Sequence, residues 1–379
     1  MKVLITGGCG FIGQWLVKKL TEDDHEMIVL DNLSPQIHGD NPDKFAFINK
    51  FSNVKFVFDD IRNIKILDRL LSEVEAVVHL AAETGTGQSM YQIRHYYDVN
   101  VLATAALFEA IGTKHKQIKK LILASSRSVY GEGAYLCNGE MMTPAPRSLS
   151  QLQEGEWEPL GPHGETLKRI ATPEHAVLKP ASVYAATKLA NEQLGQVFAD
   201  AYEKQIISLR FQNVYGEGQS LNNPYTGILS IFSNQMRQDI SVNIFEDGYE
   251  TRDFIHVSDV TTAITKALEY SKSKYDVFNI GSGVATNVLE IAGRLREILH
   301  SNSEIHITGS FRLGDIRHNY ADITSAHKIL NFTPQANLDK GLKSFCHWVL
   351  QQDMVKDHSK SALLEMAELG LGSARVQGH

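Results

Sequence analysis

Tyr184 and Lys188 stand four residues apart in "SVYAATK" (182–188), and residues at that spacing are neighbours on a helix. An ammonium beneath a phenol favours the phenolate, so the pair is a candidate proton-transfer device. The same spacing recurs at Tyr270 and Lys274 in "EYSKSKYD", a polar stretch that reads as a solvated helix end with Tyr270 at the surface. Spacing alone does not choose between the two pairs. The elements that carry them must.

Short apolar runs alternate with helical patterns through the first half: "KVLIT", "MIVLD", "VKFVF", "AVVHLAA", "KLILASS" and "IISLRF" read as strands. That alternation predicts an α/β fold, a doubly wound parallel sheet covered by helices on both faces, whose ligands lie at its carboxyl edge. The hydroxyls of Ser125 and Ser126 fall at that edge, at the end of the fifth strand, and Tyr184 opens the helix that follows.

"VLITGGCGFIGQWLV" places Gly7, Gly10 and Gly13 between a strand and an amphipathic helix, with Phe11 and Ile12 among them. Glycines here allow a tight turn, a close approach of pyrophosphate to the backbone, and close helix-to-strand packing; the phosphate meets the helix N-terminus. Asp31 ends the second strand, followed by Asn32. Its carboxylate suits free ribose hydroxyls and repels a 2′-phosphate, so the cofactor expected is NAD rather than NADP. "NLSPQIHGD" holds no Arg or Lys to reverse that preference. Asp60 and Ile61 end the third strand where an adenine would sit. Leu80, Ala81 and Ala82 end the fourth with small side chains along which a cofactor could lie, and polar Thr84, Thr86, Gln88 and Ser89 follow. Strand hydroxyl, helix phenol and helix ammonium then gather on one side of a nicotinamide, which is a hydride-transfer site. A tyrosine with its ordinary pKa of about 10 is a poor base; a neighbouring Lys188 cation and the nicotinamide charge would lower it.

The chain has 379 residues, 43% hydrophobic and 21% charged, with net charge −7. That is the composition of a soluble globular protein, large enough for two lobes, and without the basic runs of a nucleic-acid surface. Cys9, Cys137 and Cys346 are too few and too scattered for a disulfide framework. The N-terminal apolar run is broken by glycine after six residues, so neither a signal peptide nor a membrane span is expected, and the cytoplasm is the default location. Residues 131–180 interrupt the alternation with a long Pro- and Gly-containing excursion of the kind that is usually functional or mobile. Its similar turns "CNGE" and "PHGE" offer only Cys137 and His163 as ligands where a closed zinc site needs four, so no metal is expected. After 212 the pattern loosens into a smaller lobe, and the tail after 353 reads as one short amphipathic helix and a frayed end. The helices near 95–113 and 183–203 are apolar on more than one face, which predicts a homodimer.

"TGGCGFIG", "DNLS", "DDIRN", "HLAAETG", "SSRSVYGEG", "YAATK", "LRFQNVYG" and "RDFIHVSDV", in that order, resemble the extended short-chain dehydrogenase/reductase superfamily in its nucleotide-sugar epimerase/dehydratase branch, over roughly residues 1–350. The 131–180 insert, "DNLSPQIHG" and "NNPYTGILSIF" look closest to its dTDP-rhamnose 4-epimerase group, with the UDP-glucose 4-epimerases as further kin. The resemblance implies a Rossmann domain over 1–212, rejoined by about 254–280, and a nucleotide-sugar lobe over 213–253 and 281–352. It implies Ser126, Tyr184 and Lys188 as the triad, Ser126 standing four residues before the Tyr130 of "VYG". Asn100 matches a structural, water-holding asparagine. Asn213, Arg252, Arg312 and Asp315 fall where relatives grip the nucleotide diphosphate and ribose, and Thr86 joins them on the substrate side.

Dehydratases of this branch carry an Asp-Glu pair directly after the triad hydroxyl. Here Arg127 and Ser128 stand there, and neither can serve as the acid or base that water elimination needs. The expectation is therefore an NAD-dependent epimerase acting at C4 of a nucleotide-linked hexose, an isomerase whose partner is a nucleotide-diphosphate sugar. The rivals are a 4-ketose reductase, a C2-epimerase and a non-catalytic dinucleotide-sensing module of the same fold.

Overall fold

The computed structural model describes residues 1–39, 48–221, 223, 227–312, 314–354, 364–366 and 368–373. Asn222, Pro224, Tyr225 and Thr226 of "NNPYTG", and the remainder of the tail, lie outside the described residues. Seven parallel strands form the central sheet: β1 (Lys2–Thr6), β2 (Glu26–Asp31), β3 (Val54–Phe58), β4 (Ala76–His79), β5 (Lys120–Ser126), β6 (Gln205–Phe211) and β7 (Tyr275–Ile280). Their order is β7-β6-β5-β4-β1-β2-β3. The direction of strand progression reverses between β1 and β4, and at such a switch point the loops diverge and open a crevice at the carboxyl edge.

Strand alternation divides the core. Val3 and Ile5 face one apolar layer with α1 (Phe11–Glu22) and α4 (Val257–Glu269); Leu4 faces the other with α2 (Ala103–Thr113) and Phe198 of α3 (Val183–Tyr202). With helices on both faces, the strand residues read as unbroken apolar runs. A separate apolar cluster builds the smaller lobe, with the helices Ile228–Met236, Val288–Ile298 and Leu338–Leu350 packed about the parallel pair Val242–Ile244 and Ile305–Ile307.

The 131–180 excursion is a packed element. Tyr135–Cys137 and Glu140–Met142 form a hairpin across Asn138 and Gly139, both at positive φ, and Lys168–Arg169 adds a third strand. Ion pairs tie it to the smaller lobe. Arg317, 1% exposed, donates to Glu158, Glu246 and Asp247 at 2.7–3.0 Å, and Arg147 meets Glu246 at 2.8 Å. No described helix is long and apolar enough to cross a membrane.

Candidate active site

The glycine turn after β1 is set by two close approaches. Gly7 has φ +70°, and a Cβ there would lie 2.7 Å from the Ala81 amide nitrogen at the end of β4. A Cβ on Gly13 would lie 2.5 Å from the Gly8 Cα, so α1 can pack against the turn only without one. Gly10 precedes α1 and offers no side-chain cap, which leaves the first-turn amides to a ligand. The Asp31 carboxylate is fixed beneath this turn, accepting from the Cys9 amide (2.9 Å) and the Leu33 amide (2.9 Å). Asn32 donates to Asp60 at 2.9 Å, and Arg62 pairs with the same carboxylate and holds it far below the usual range. Ile61 is buried beside them, and Leu80, Ala81 and Ala82 are half-buried. An open helix N-terminus, a turn with room for pyrophosphate and a fixed carboxylate at the ribose position fit NAD.

β5 separates the two serines. Ser125, 5% exposed, turns its hydroxyl to Glu192, which is locked by Arg210 (Nη2 to Oε2, 2.7 Å). Arg210 also donates to the Tyr130 hydroxyl (2.8 Å), which donates to Asn279 (2.7 Å). This buried network fixes the end of β5 from behind. Ser126 faces the other way. Its oxygen accepts from the Ser128 amide (3.2 Å) and the Ser128 hydroxyl (3.0 Å), which leaves its own proton free for the neighbouring Tyr184 phenol. Burial raises the phenol pKa; the Ser126 bond and the Arg127 charge act against that.

Lys188 lies 5.8 Å from the centre of the Tyr184 ring, donates to the Ala124 carbonyl (2.9 Å), and is pushed down to about 8 by burial. Ser182 caps α3, accepting from the Ala185 amide, and so places Tyr184 in its first turn. The Tyr184 amide donates to Ser89 (3.0 Å) in the short helix Thr86–Ser89.

Asn100, 1% exposed, sits in a single π-turn over Asp98–Leu102, a local widening that often marks functional sites. It bonds both the amide and the carbonyl of Glu83 (2.8 and 3.0 Å) and donates to Thr187 (3.1 Å), bolting the loop after β4 to α3.

On the lobe side, Asn213 begins a short strand parallel to Phe254–His256, its side-chain oxygen buried without a partner. Both polar atoms of the neighbouring Gln212 and the Nε of Arg312 are likewise buried and unpaired, as groups awaiting a polar ligand would be. The Arg312 guanidinium lies over Phe245 at 4.7 Å. The Arg252 side chain is turned to backbone carbonyls. It donates to the carbonyls of Thr251, Ile316 and Arg317 at 2.8–3.0 Å, while Arg147 donates to the Asp315 carbonyl, so both arginines brace the 315–317 loop. Thr86 is exposed at the start of its helix, and its carbonyl accepts from the Ser89 hydroxyl that also receives the Tyr184 amide.

Sequence reasoning did not find His79, which bridges Thr6 (2.7 Å) and Thr104 (2.9 Å) behind the cofactor edge, nor Gln212 or the Glu192–Arg210 pair. Thr104 donates to the Asn100 carbonyl (2.6 Å), so His79 is a neutral Nε2–H donor to it, and burial pushes its pKa down to about 3. A polar residue inside an otherwise apolar strand was the available signal. Arg127 entered the sequence reading only as a missing acid. In the structure its guanidinium is buried within electrostatic reach of Arg252, Asp315, Glu132 and Tyr184, and burial lowers its pKa to about 9.

Tyr270 follows the last residue of α4, so Tyr270 and Lys274 share no helix. It is half-buried rather than at the surface, donating to Asp276 (2.6 Å). Among the described residues no group of three or more His, Cys, Asp or Glu could hold a metal ion.

Residues 3–151 and 158–281 match the NAD dependent epimerase/dehydratase family. The chain belongs to that family. It is 37% identical over 354 residues to a dTDP-L-rhamnose 4-epimerase of Burkholderia thailandensis, covering 93% of this chain and 95% of that protein. Its fold is similar to the crystal structure of a Thermotoga maritima UDP-glucose 4-epimerase with UDP-glucose (TM-score 0.75, 28% identity, 93% of this chain and 99% of that one). It is equally similar to a Bacillus cereus UDP-glucuronic acid 4-epimerase in complex with UDP-glucuronic acid and NAD (TM-score 0.76, 27% identity, 93% and 99%).

Proposed function

We propose that Ser126, Tyr184 and Lys188 carry the NAD-dependent C4 inversion of a nucleotide-linked hexose that this chain performs as an isomerase. NAD, when bound in the Gly7–Gly13 turn against Asp31, supplies the hydride acceptor and donor at C4. Tyr184, as phenolate, removes the proton of the sugar 4-hydroxyl and later returns it. Ser126 donates to the phenolate and so holds the base in its active form, while Ser128 satisfies the other side of the Ser126 oxygen. Lys188 keeps a cation beneath the ring, fixed by the Ala124 carbonyl. Asn213 and Arg312 hold the nucleotide diphosphate, and Asp315, on a loop braced by Arg252 and Arg147, takes the ribose. Arg127 and Ser128 offer no carboxylate to enolise C3 or C5, so those carbons keep their protons.

The observation that carries this reading is Ser126, with both lone pairs used by Ser128 and its proton left free beside the Tyr184 phenol, at the carboxyl edge next to a dinucleotide cradle. The substrate we infer is a dTDP-linked 6-deoxyhexose, supported by likeness to the Burkholderia enzyme along nearly its whole length. We also infer a cytoplasmic homodimer paired through α2 and α3. The exposed apolar residues Leu102 and Val197 beside and on these helices support it, and the three free cysteines suit a reducing compartment.

The test is NMR of products from a panel of nucleotide sugars labelled with deuterium at C4. Retention of the label at C4 in an epimer establishes the reaction. Stoichiometric cofactor turnover with product points to a reductase instead, and solvent deuterium at C5 to a different isomerisation. Light scattering of Val197→Glu against the parent protein tests the dimer, and equal masses count against it.

A further inference from the structure

The chain returns to the cleft once more near its C-terminal end. Gly372–Ser373 pairs antiparallel with Phe311–Arg312, Gly372 standing opposite Arg312. A few residues earlier, Met366 is 7% exposed, and its sulfur lies 2.8 Å from where a Cβ on Gly87 would stand. Glu365 accepts from the Tyr91 hydroxyl (3.0 Å), and a turn bonded from the Leu371 amide to the Met366 carbonyl (2.9 Å) joins the two attachments.

These attachments fall on opposite sides of the cleft. Gly87 belongs to the Thr86–Ser89 helix, whose Ser89 hydroxyl accepts the amide of Tyr184. Arg312, with its buried and unpaired Nε, lies on the nucleotide side. One short segment thus spans from the neighbour of the catalytic base to the loop that receives the diphosphate. The Tyr91–Glu365 hydrogen bond, the Met366 packing and the two-residue strand are peripheral attachments; a segment held by contacts of this kind opens at lower cost than the core, and a ligand bound beneath it shifts it toward closure.

We propose that residues 364–366 and 368–373 form the outer wall of the nucleotide-sugar pocket, a strap that releases to admit substrate and seats over it, with Met366 filling the notch at Gly87. This rests on the nucleotide-sugar reading of the cleft. Closure over the sugar excludes water while the 4-keto sugar turns, the role that closing segments serve in many enzymes.

Amide hydrogen exchange of the full-length protein, with UDP and dTDP as probes and NAD alone as control, tests the proposal. Either nucleotide is expected to slow exchange in the strap and at 311–312 by about tenfold, a modest linkage effect, and NAD alone to leave both unchanged. Full-length Met366→Asp is expected to raise KM for the nucleotide sugar about tenfold, the order of one lost apolar contact, with kcat within about threefold and NAD content unchanged. Met366→Leu is expected to restore KM. Protection elsewhere in the cleft without protection of the strap overturns the proposal and leaves the substrate reading intact, and so does an unchanged KM in Met366→Asp. Absence of protection by either nucleotide anywhere in the cleft overturns the substrate reading and the strap with it.

Discussion

Tyr184–Lys188 and Tyr270–Lys274 share a spacing and almost nothing else. In the first pair both residues lie on one continuous helix, with Ser182 capping it just upstream. In the second, α4 ends at Glu269, and Tyr270 adopts an extended conformation that sends the chain away toward β7. Lys274 then pairs with Glu203 (3.3 Å) instead of approaching the phenol. The partners differ in sense as well. Burial raises the Tyr184 pKa, and the Ser126 hydroxyl and the Arg127 cation oppose that rise by favouring the phenolate. Tyr270 donates to the Asp276 carboxylate, which with burial pushes its pKa up to about 12. A phenol becomes a base where its partners are donors and cations, and stays an acid where its partner is an anion.

The contrast is broken most sharply by deleting the phenol that carries the chemistry. Tyr184→Phe is expected to lower kcat by about 10²–10⁴, the contribution of a positioned general base, with NAD content and thermal midpoint retained. Steady-state turnover with the best substrate of the labelled panel checks it. A kcat within tenfold of the parent would remove Tyr184 from the role of base.

The two serines of β5 give the next largest effect. Ser126→Ala removes a hydrogen bond to a charged acceptor, worth about 1.5–3 kcal/mol, and is expected to lower kcat roughly tenfold to hundredfold. Ser125→Ala leaves the Glu192–Arg210 pair and the phenol bond in place, so its loss is expected in the thermal midpoint rather than in kcat. The reverse pattern would exchange the roles of the two residues.

These serines also show how far the sequence could be read. Their position at a strand end followed from the run "KLILASS", and the sheet, the glycine turn and Asp31 follow from local periodicity in the same way. Which hydroxyl faces the site did not follow from the run. It depends on the strand's two faces and on Glu192 and Arg210, which are remote in sequence. The same holds for Arg252, which braces a loop by bonds to carbonyls that no motif encodes. The 131–180 insert reads as a loop because its strands are three residues long or shorter; what packs it is charge pairing of Arg147 and Glu158 with Glu246 and Arg317, distant in sequence.

Charge around the phenol predicts a pH profile. Tyr184 acts deprotonated, so kcat/KM rises as pH rises through its pKa, which burial raises and which Ser126, Arg127 and the charge of bound nicotinamide bring down. Lys188 acts protonated, so kcat/KM falls again as pH rises through about 8. Arg127 lowers the phenol pKa, and removing that cation raises it. Arg127→Gln is therefore expected to move the acid limb to higher pH and narrow the bell, while leaving the alkaline limb in place. On the acid side of the bell, activity at a fixed pH then falls roughly tenfold for every pH unit by which the limb moves. An unmoved acid limb would mean that the arginine does not sense the phenol.

The smallest effect is expected at the other tyrosine. Tyr270→Phe removes the bond to Asp276 but keeps the ring, which packs edge-on against Phe278 at 5.9 Å between centres. The cost is that of one partly buried hydrogen bond to a charged group, offset in part because Asp276 can turn to water; about 1 kcal/mol is expected in a denaturant midpoint. Turnover should stay within about twofold, since Tyr270 lies at the far end of α4 from the carboxyl edge and touches none of the triad. The variant also separates spacing from context. A loss of turnover approaching that of Tyr184→Phe would mean that four-residue spacing matters even where the helix has ended, and the contrast between the pairs would lose its physical basis. A stability change with turnover intact leaves the partners of each phenol as what divides base from scaffold.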